Sequence, residues 1–193
     1  MGHKKAQKKT TRTVVFWVIS AVIVLAVFSL IIVAPLAVAS GHEDLARGIY
    51  GAFGTLCHQR PERSYFIAGH KFAVCSRCTG LYAGFAFTLL LYPLFRSLKT
   101  ITTPPRILLL LAALPLLIDF SVTFFGFWEN THTSRLLTGA LLGSVTVLYV
   151  MPGIVELSLR RARTTRPKVT FTLASPERIA SAPSDYSAPE RRI

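Results

Sequence analysis

The chain has 193 residues, 51% hydrophobic and 16% charged, with a mean hydropathy of +0.47. Soluble domains carry about a quarter of charged residues, so this composition excludes one and points to a membrane protein. The formal charge is +13, from 22 Lys and Arg against 9 Asp and Glu; no aromatic-interleaved basic patch or reader module accompanies it, so nucleic acid is not an expected partner.

A basic segment, residues 1–13, leads into an uncharged run from Val14 to Ala39. A bilayer core needs about 20 apolar residues per helix, and this run is the first expected span. Its end, Ala37-Val38-Ala39-Ser40, has the small-x-small look of a signal cleavage site. The run is nevertheless longer than the roughly 7 to 15 residues of a signal core, which favours a retained anchor. Pro35 is expected to kink or end the helix.

Next comes a loop over residues 40–78 whose first half has helix grammar. Ser40 and Glu43 form a capping-box pattern, and Leu45, Ile49, Ala52, Phe53 and Leu56 recur at helical spacing. This predicts an amphipathic helix on the membrane that delivers Cys57 at its end. Gly48, Gly51 and Gly54 oppose it at about 1 kcal/mol each.

Three further apolar stretches follow: Thr79 to Phe95, Ile107 to Phe127 with Asp119 as its one charge, and Leu136 to Val155. Backbone polar groups must be satisfied within lipid, so each reads as a helix. The expected fold is an all-α polytopic membrane bundle over residues 14–155, with four transmembrane helices plus the amphipathic helix. Gly80 and Gly84, and Gly139 and Gly143, are small residues four apart, which predicts that the second and fourth spans touch near one end. The basic tail, 156–193, lacks an apolar period past Pro167 and is expected to be disordered.

Five Lys and Arg precede the first span, three lie between the second and third, and eight follow the fourth; six fall on the opposite side. The positive-inside rule then makes both termini cytoplasmic and the 40–78 loop extracytoplasmic, in a multi-pass protein of the cell (inner) membrane. The same charge attracts anionic lipid.

The chemistry-bearing residues gather on that outer side. Cys57-His58-Gln59 is followed by Cys75-Ser76-Arg77-Cys78, at the lip of the second span. Cys75 and Cys78 have the spacing of a zinc knuckle, and Cys57 with His58 would complete a Cys3His set. Adjacent residues usually point apart, so His70 or His42 are alternative fourth ligands. Asp119 sits roughly 10 Å below the outer end of its span at 1.5 Å per residue, and Arg135 at the mouth of the fourth is its expected partner. An ionisable group at such depth is a functional candidate, so Asp119, Arg135 and Arg77 are the candidate catalytic residues, with Glu62 as another possible base. Whether the protein is an enzyme is left open by the sequence.

Cys57-His58-Gln59 with Arg63-Ser64, Cys75-x-Arg77-Cys78-Thr79-Gly80-Leu81-Tyr82-x-Gly84, Asp119, and Arg135-Leu136-x-Thr138-Gly139 resemble the pattern of a family of small prokaryotic multi-span membrane proteins grouped as a domain of unknown function. The resemblance covers roughly Leu56 to Gly143, and implies a fold and a location rather than an activity.

Two other chemistries compete with zinc. A Cys-x-x-Cys at a helix N-terminus beside Arg77 has its thiolate stabilised, and disulfides persist outside the cytoplasm. In layout the chain resembles four-helix membrane thiol oxidases that pass electrons to quinone, but it lacks a second cysteine pair between Gly126 and Arg135. Alternatively Arg60, Arg63, Arg77 and Arg135 could grip an anionic lipid head group or phosphate.

Overall fold

A computed structural model describes the backbone of residues 2–98 and 100–164 and the side chains of 11–98 and 100–157. The elements are α1 (Gly2–Ala39), α2 (Glu43–Gly54), a 3-10 turn (Pro61–Arg63), the strands β1 (Phe66–Ile67) and β2 (His70–Lys71), α3 (Ser76–Phe95), α4 (Arg106–Phe124) and α5 (His132–Thr164). Four segments are long and apolar enough to cross a membrane: Thr11–Ala39, Ser76–Phe95, Arg106–Phe124 and His132–Leu157. The all-α membrane bundle is therefore the fold, and its spans alternate in direction along the chain.

Each span differs from its sequence-expected limits where local chemistry intervenes. α3 begins three residues earlier than the apolar run, because Cys75 adopts an extended N-cap conformation and Ser76 opens the helix. α4 stops at Phe124, where Phe125 and Gly126, the latter at φ +75°, turn the chain. α5 continues as helix past Val155 to Thr164; the rest of the expected disordered tail lies outside the described residues.

Pro35 neither ends α1 nor leaves a carbonyl stranded. A proline inside a helix removes the N–H that would bond the carbonyl four residues back, here that of Ile31. The N–H of Ala73 donates to that carbonyl at 3.3 Å. Pro93 in α3 likewise frees the carbonyl of Leu89, which accepts from the indole Nε1–H of Trp17 at 2.8 Å. Both prolines thus create tertiary docking points, the way lipid-embedded helices accommodate them.

The tightest helix pair is α3 with α5, which run parallel. A methyl group added at Gly80 would stand 2.1 Å from the carbonyl oxygen of Leu136, and one at Gly84 2.2 Å from that of Ala140. Reciprocally, Gly139 and Gly143 face the carbonyls of Arg77 and Leu81 at 2.2 and 2.1 Å. Glycine alone permits this backbone approach, as the spacing of small residues predicted. Ser144 Oγ donates to the Gly84 carbonyl at 3.2 Å across the same seam.

α2 forms as expected, yet by different means. Ser40 Oγ turns back to the carbonyls of Leu36 and Ala37 and to His42 Nδ1, so the capping box is not made, and His42 takes the N-cap position with no side-chain hydrogen bond to the first turn of α2. The buried face is Ala46, Ile49 and Phe53, while Leu45 and Leu56 are exposed. This face packs with Ile31 and Ala34 of α1 and with Ala73 and Val74. A second core, of Ala21, Leu89, Tyr92, Val147 and Met151, fills the opposite end between α1, α3 and α5.

A clustered-cysteine centre and an arginine cavity

The loop from Thr55 to Cys75 is held by its own backbone. β1 and β2 pair antiparallel, Phe66 with Lys71 and Ile67 with His70. Ala68 and Gly69, at φ +50° and +79°, form the turn between them, the two-residue connection whose twist matches paired strands. Gln59, at φ +49°, reverses the chain after Cys57. Its carbonyl accepts from Lys71 Nζ at 2.7 Å, its Nε2 donates to the Tyr50 carbonyl at 2.7 Å, and Tyr50 Oη donates to the Lys71 carbonyl. Burial pushes the Tyr50 hydroxyl pKa up.

These constraints bring Cys57, Cys75 and Cys78 together, with their Sγ atoms all within 4.8 Å of one another. Cys57 is buried in the first core and the other two are half-buried, all as free thiols. The Cys75 N–H donates to Cys57 Sγ at 3.3 Å. Hydrogen bonds to Cys57 from the Cys75 and Cys78 side chains, and from the Cys75 and Gln59 backbone, push its thiol pKa far down against the opposing effect of burial.

Among the described residues no histidine joins this group. His58 is exposed, because the turn at Gln59 follows an inward Cys57 and the adjacent side chain goes outward. His42 is engaged with Ser40, and His70 lies in the hairpin. Glu62 is also exposed, 3.8 Å from Arg60.

The first turn of α3 distributes its side chains around the helix. Cys75 and Cys78 face the thiol group. Ser76 Oγ, buried between them in sequence, donates to the Arg63 carbonyl at 2.6 Å and lies 2.8 Å from His132 Nδ1. Sequence reading missed this serine, since a lone Ser between two cysteines carries no periodic or spacing signal. Arg77 points to α4, where its Nη2 donates to Asp119 Oδ2 at 2.5 Å. The expected partner of Asp119, Arg135, is thereby corrected to Arg77. Asp119 stands five residues before the end of α4, nearer the end than expected, and at that level α3 rather than α5 presents the closest guanidinium.

The carboxylate side chain is only 9% exposed, and Asn130 Nδ2 and Thr123 Oγ1 donate to the backbone carbonyl of Asp119. Beside the ion pair, Arg63, Arg77 and Arg135 line a cavity of about 70 Å³ together with Phe120, Thr123 and Phe124. Arg77 stacks 5.8 Å from the Phe120 ring centroid. Arg60, grouped with these arginines in the sequence, lies outside the cavity.

Four apolar helices, with a partly buried cysteine cluster and a charged cavity at one end, define a multi-pass membrane protein. The chain belongs to the predicted membrane protein family DUF2085, which its residues 57–149 match. That span contains all three cysteines together with Arg63, Arg77, Asp119 and Arg135. Over 113 residues the chain is 34% identical to an uncharacterised protein of Methanocaldococcus jannaschii, covering 58% of this chain and 72% of the relative. It is 41% identical over 91 residues to an uncharacterised protein of Methanothermobacter thermautotrophicus, covering 47% and 80% respectively. No solved structure matches the chain.

Proposed function

We propose that this membrane protein carries a thiolate metal centre of the zinc class, held by Cys57, Cys75 and Cys78 on the extracytoplasmic side, with both termini cytoplasmic. The observation that carries the reading is the convergence of three sulfurs within 4.8 Å, one from the end of the α2 segment and two from the start of α3. Zinc binds sulfur at about 2.3 Å, so tetrahedral ligands stand roughly 3.8 Å apart, about 1 Å inside the separation within which these three sulfurs already lie. Three soft thiolates favour Zn(II) over the hard oxygen-seeking cations. Three protein donors leave one tetrahedral position for a water or a further ligand. The outer placement is supported by the excess of Lys and Arg on the opposite side of the spans. Elemental analysis with thiol titration, on protein purified without chelator, tests the centre. One metal per chain, lost in Cys78→Ser, is the expected result, and metal-free protein would overturn the reading.

A thiol-redox reading is favoured by two features: Cys75 occupies the N-cap of α3, where the helix dipole stabilises a thiolate, and the Cys57 sulfur lies within 4.8 Å of those of Cys75 and Cys78. A Cys75–Cys78 disulfide whose fraction responds to quinone or a partner thiol would support it. Permanently reduced thiols with bound metal would count against it.

A further inference from the structure

The cavity between α3, α4, α5 and the 3-10 turn has a charge imbalance that the metal centre does not explain. Three guanidinium groups, of Arg63, Arg77 and Arg135, border it, and among the described residues Asp119 is the one carboxylate paired with any of them. Three guanidinium groups against one paired carboxylate leave the lining of the cavity net positive. Arg135 as a residue is only 8% exposed, and its guanidinium has no hydrogen-bond or ion-pair partner among the described residues. Arg77 Nε is buried without a partner as well. Like-charged guanidinium groups gathered in a partly desolvated cavity repel one another, and an anion brought in from outside relieves that cost.

We propose that this cavity binds the phosphate group of a phosphomonoester-class anion, whose negative charge complements the three guanidinium groups that line it. A cavity of about 70 Å³ is larger than a single water needs and leaves room for a small oxyanion. Guanidinium forks bind phosphate oxygens bidentately, and Phe120 under Arg77 holds that fork in place. Asp119 draws one Arg77 donor away from the cavity and so fixes how the remaining donors are presented. The cavity lies at the end of α4, beside the exposed aromatic residues Phe124, Phe125, Phe127 and Trp128. Trp128 among them is a residue type enriched at the membrane–water interface, the level at which lipid phosphates sit. A phosphate reaches this site on a lipid or free in solution.

The experiment uses full-length protein, delipidated in detergent, with two probes. Inorganic phosphate is titrated calorimetrically, and native mass spectrometry follows retention of phosphatidic acid from mixed phosphatidylcholine micelles. Arg63→Gln and Arg135→Gln are compared with wild type and with Arg60→Gln, whose arginine lies outside the cavity. The expected result is a loss of at least tenfold in affinity in both cavity variants and none in Arg60→Gln. Binding of phosphatidic acid alone assigns a lipid source, and binding of both probes assigns a site open to soluble phosphate. If Arg135→Gln loses its helical circular dichroism, Arg63→Gln decides, its arginine being half-exposed in the loop. Failure of wild type to bind either probe, or equal binding by Arg63→Gln and Arg60→Gln, overturns the proposal.

Discussion

The backbone N–H of Ala73 donates to the carbonyl of Ile31, the acceptor that Pro35 deprives of its helical partner. This bond ties the segment leading to Cys75 onto the first membrane helix, so a proline in α1 helps place a cysteine at the start of α3. Pro35→Ala restores a competing donor four residues on. A net hydrogen bond is worth about 1 kcal/mol, or roughly fivefold in an opening equilibrium. Exchange of the Ala73 amide and alkylation of Cys75 should therefore accelerate by roughly that factor in the variant. Unchanged rates would show that the Ile31 carbonyl does not hold the loop.

The α3–α5 seam and the α2 surface make opposite predictions for the same substitution. Gly80→Ala places a methyl 2.1 Å from a backbone oxygen that cannot move independently of α5, and overpacking of this kind costs about 1–3 kcal/mol. Gly48 lies in α2 with nothing within 4 Å of an added methyl, so Gly48→Ala should stabilise by up to about 1 kcal/mol. Thermal unfolding in detergent, followed by helical circular dichroism, checks the two signs. A neutral Gly80→Ala would refute the close parallel contact.

Asp119→Asn removes the partner of a largely buried arginine. Breaking such a pair from one side costs about 3–5 kcal/mol, whereas removing both charges costs less. The double variant Arg77→Gln with Asp119→Asn should accordingly unfold at a higher temperature than Asp119→Asn alone. Additive losses would mean that the two groups are not coupled. α4 is the helix most sensitive to this change, because Ala112 is its one buried residue among those described.

Cys57 makes the metal-free protein pH-sensitive. Its folded thiol pKa is depressed by hydrogen bonds from Cys75 and Cys78, so it contributes stability that is fully present above the unfolded thiol value of about 8.5. That stability is lost as pH falls from there toward the depressed folded value, because the unfolded state then binds the extra proton. Stability should rise between pH 6 and 8 by at most about 1.4 kcal/mol per unit. Denaturant unfolding of chelator-treated wild type and Cys57→Ser compares the slopes; equal slopes would assign the dependence to other groups.

Much of the architecture was legible before any tertiary information. Uncharged run lengths located four spans to within a few residues, since the bilayer imposes both apolarity and length. Gly80, Gly84, Gly139 and Gly143 identified which spans meet, because only small residues allow that approach. The apolar spacing of α2 indicates the helix and places Ile49 and Phe53 on its buried face, but not its cap, and Leu45, Ala52 and Leu56 are exposed. Ser40 was drawn to the last carbonyls of α1 instead, and the face that matters is the one α1 covers.

Sequence by itself determined the membrane class, the helix count and the set of cysteines and arginines available for chemistry. Composition and spacing respond to solvent and to near neighbours, and those are enough to define these features. Tertiary structure decided the partners. It gave Asp119 to Arg77, left Arg135 facing a cavity and turned His58 away from three converging thiols. It also joined Ala73 to a carbonyl 42 positions earlier. Those outcomes depend on how helices rotate and stagger against one another, and small residues, freed carbonyls and positive-φ turns set that geometry over distances that no local pattern records.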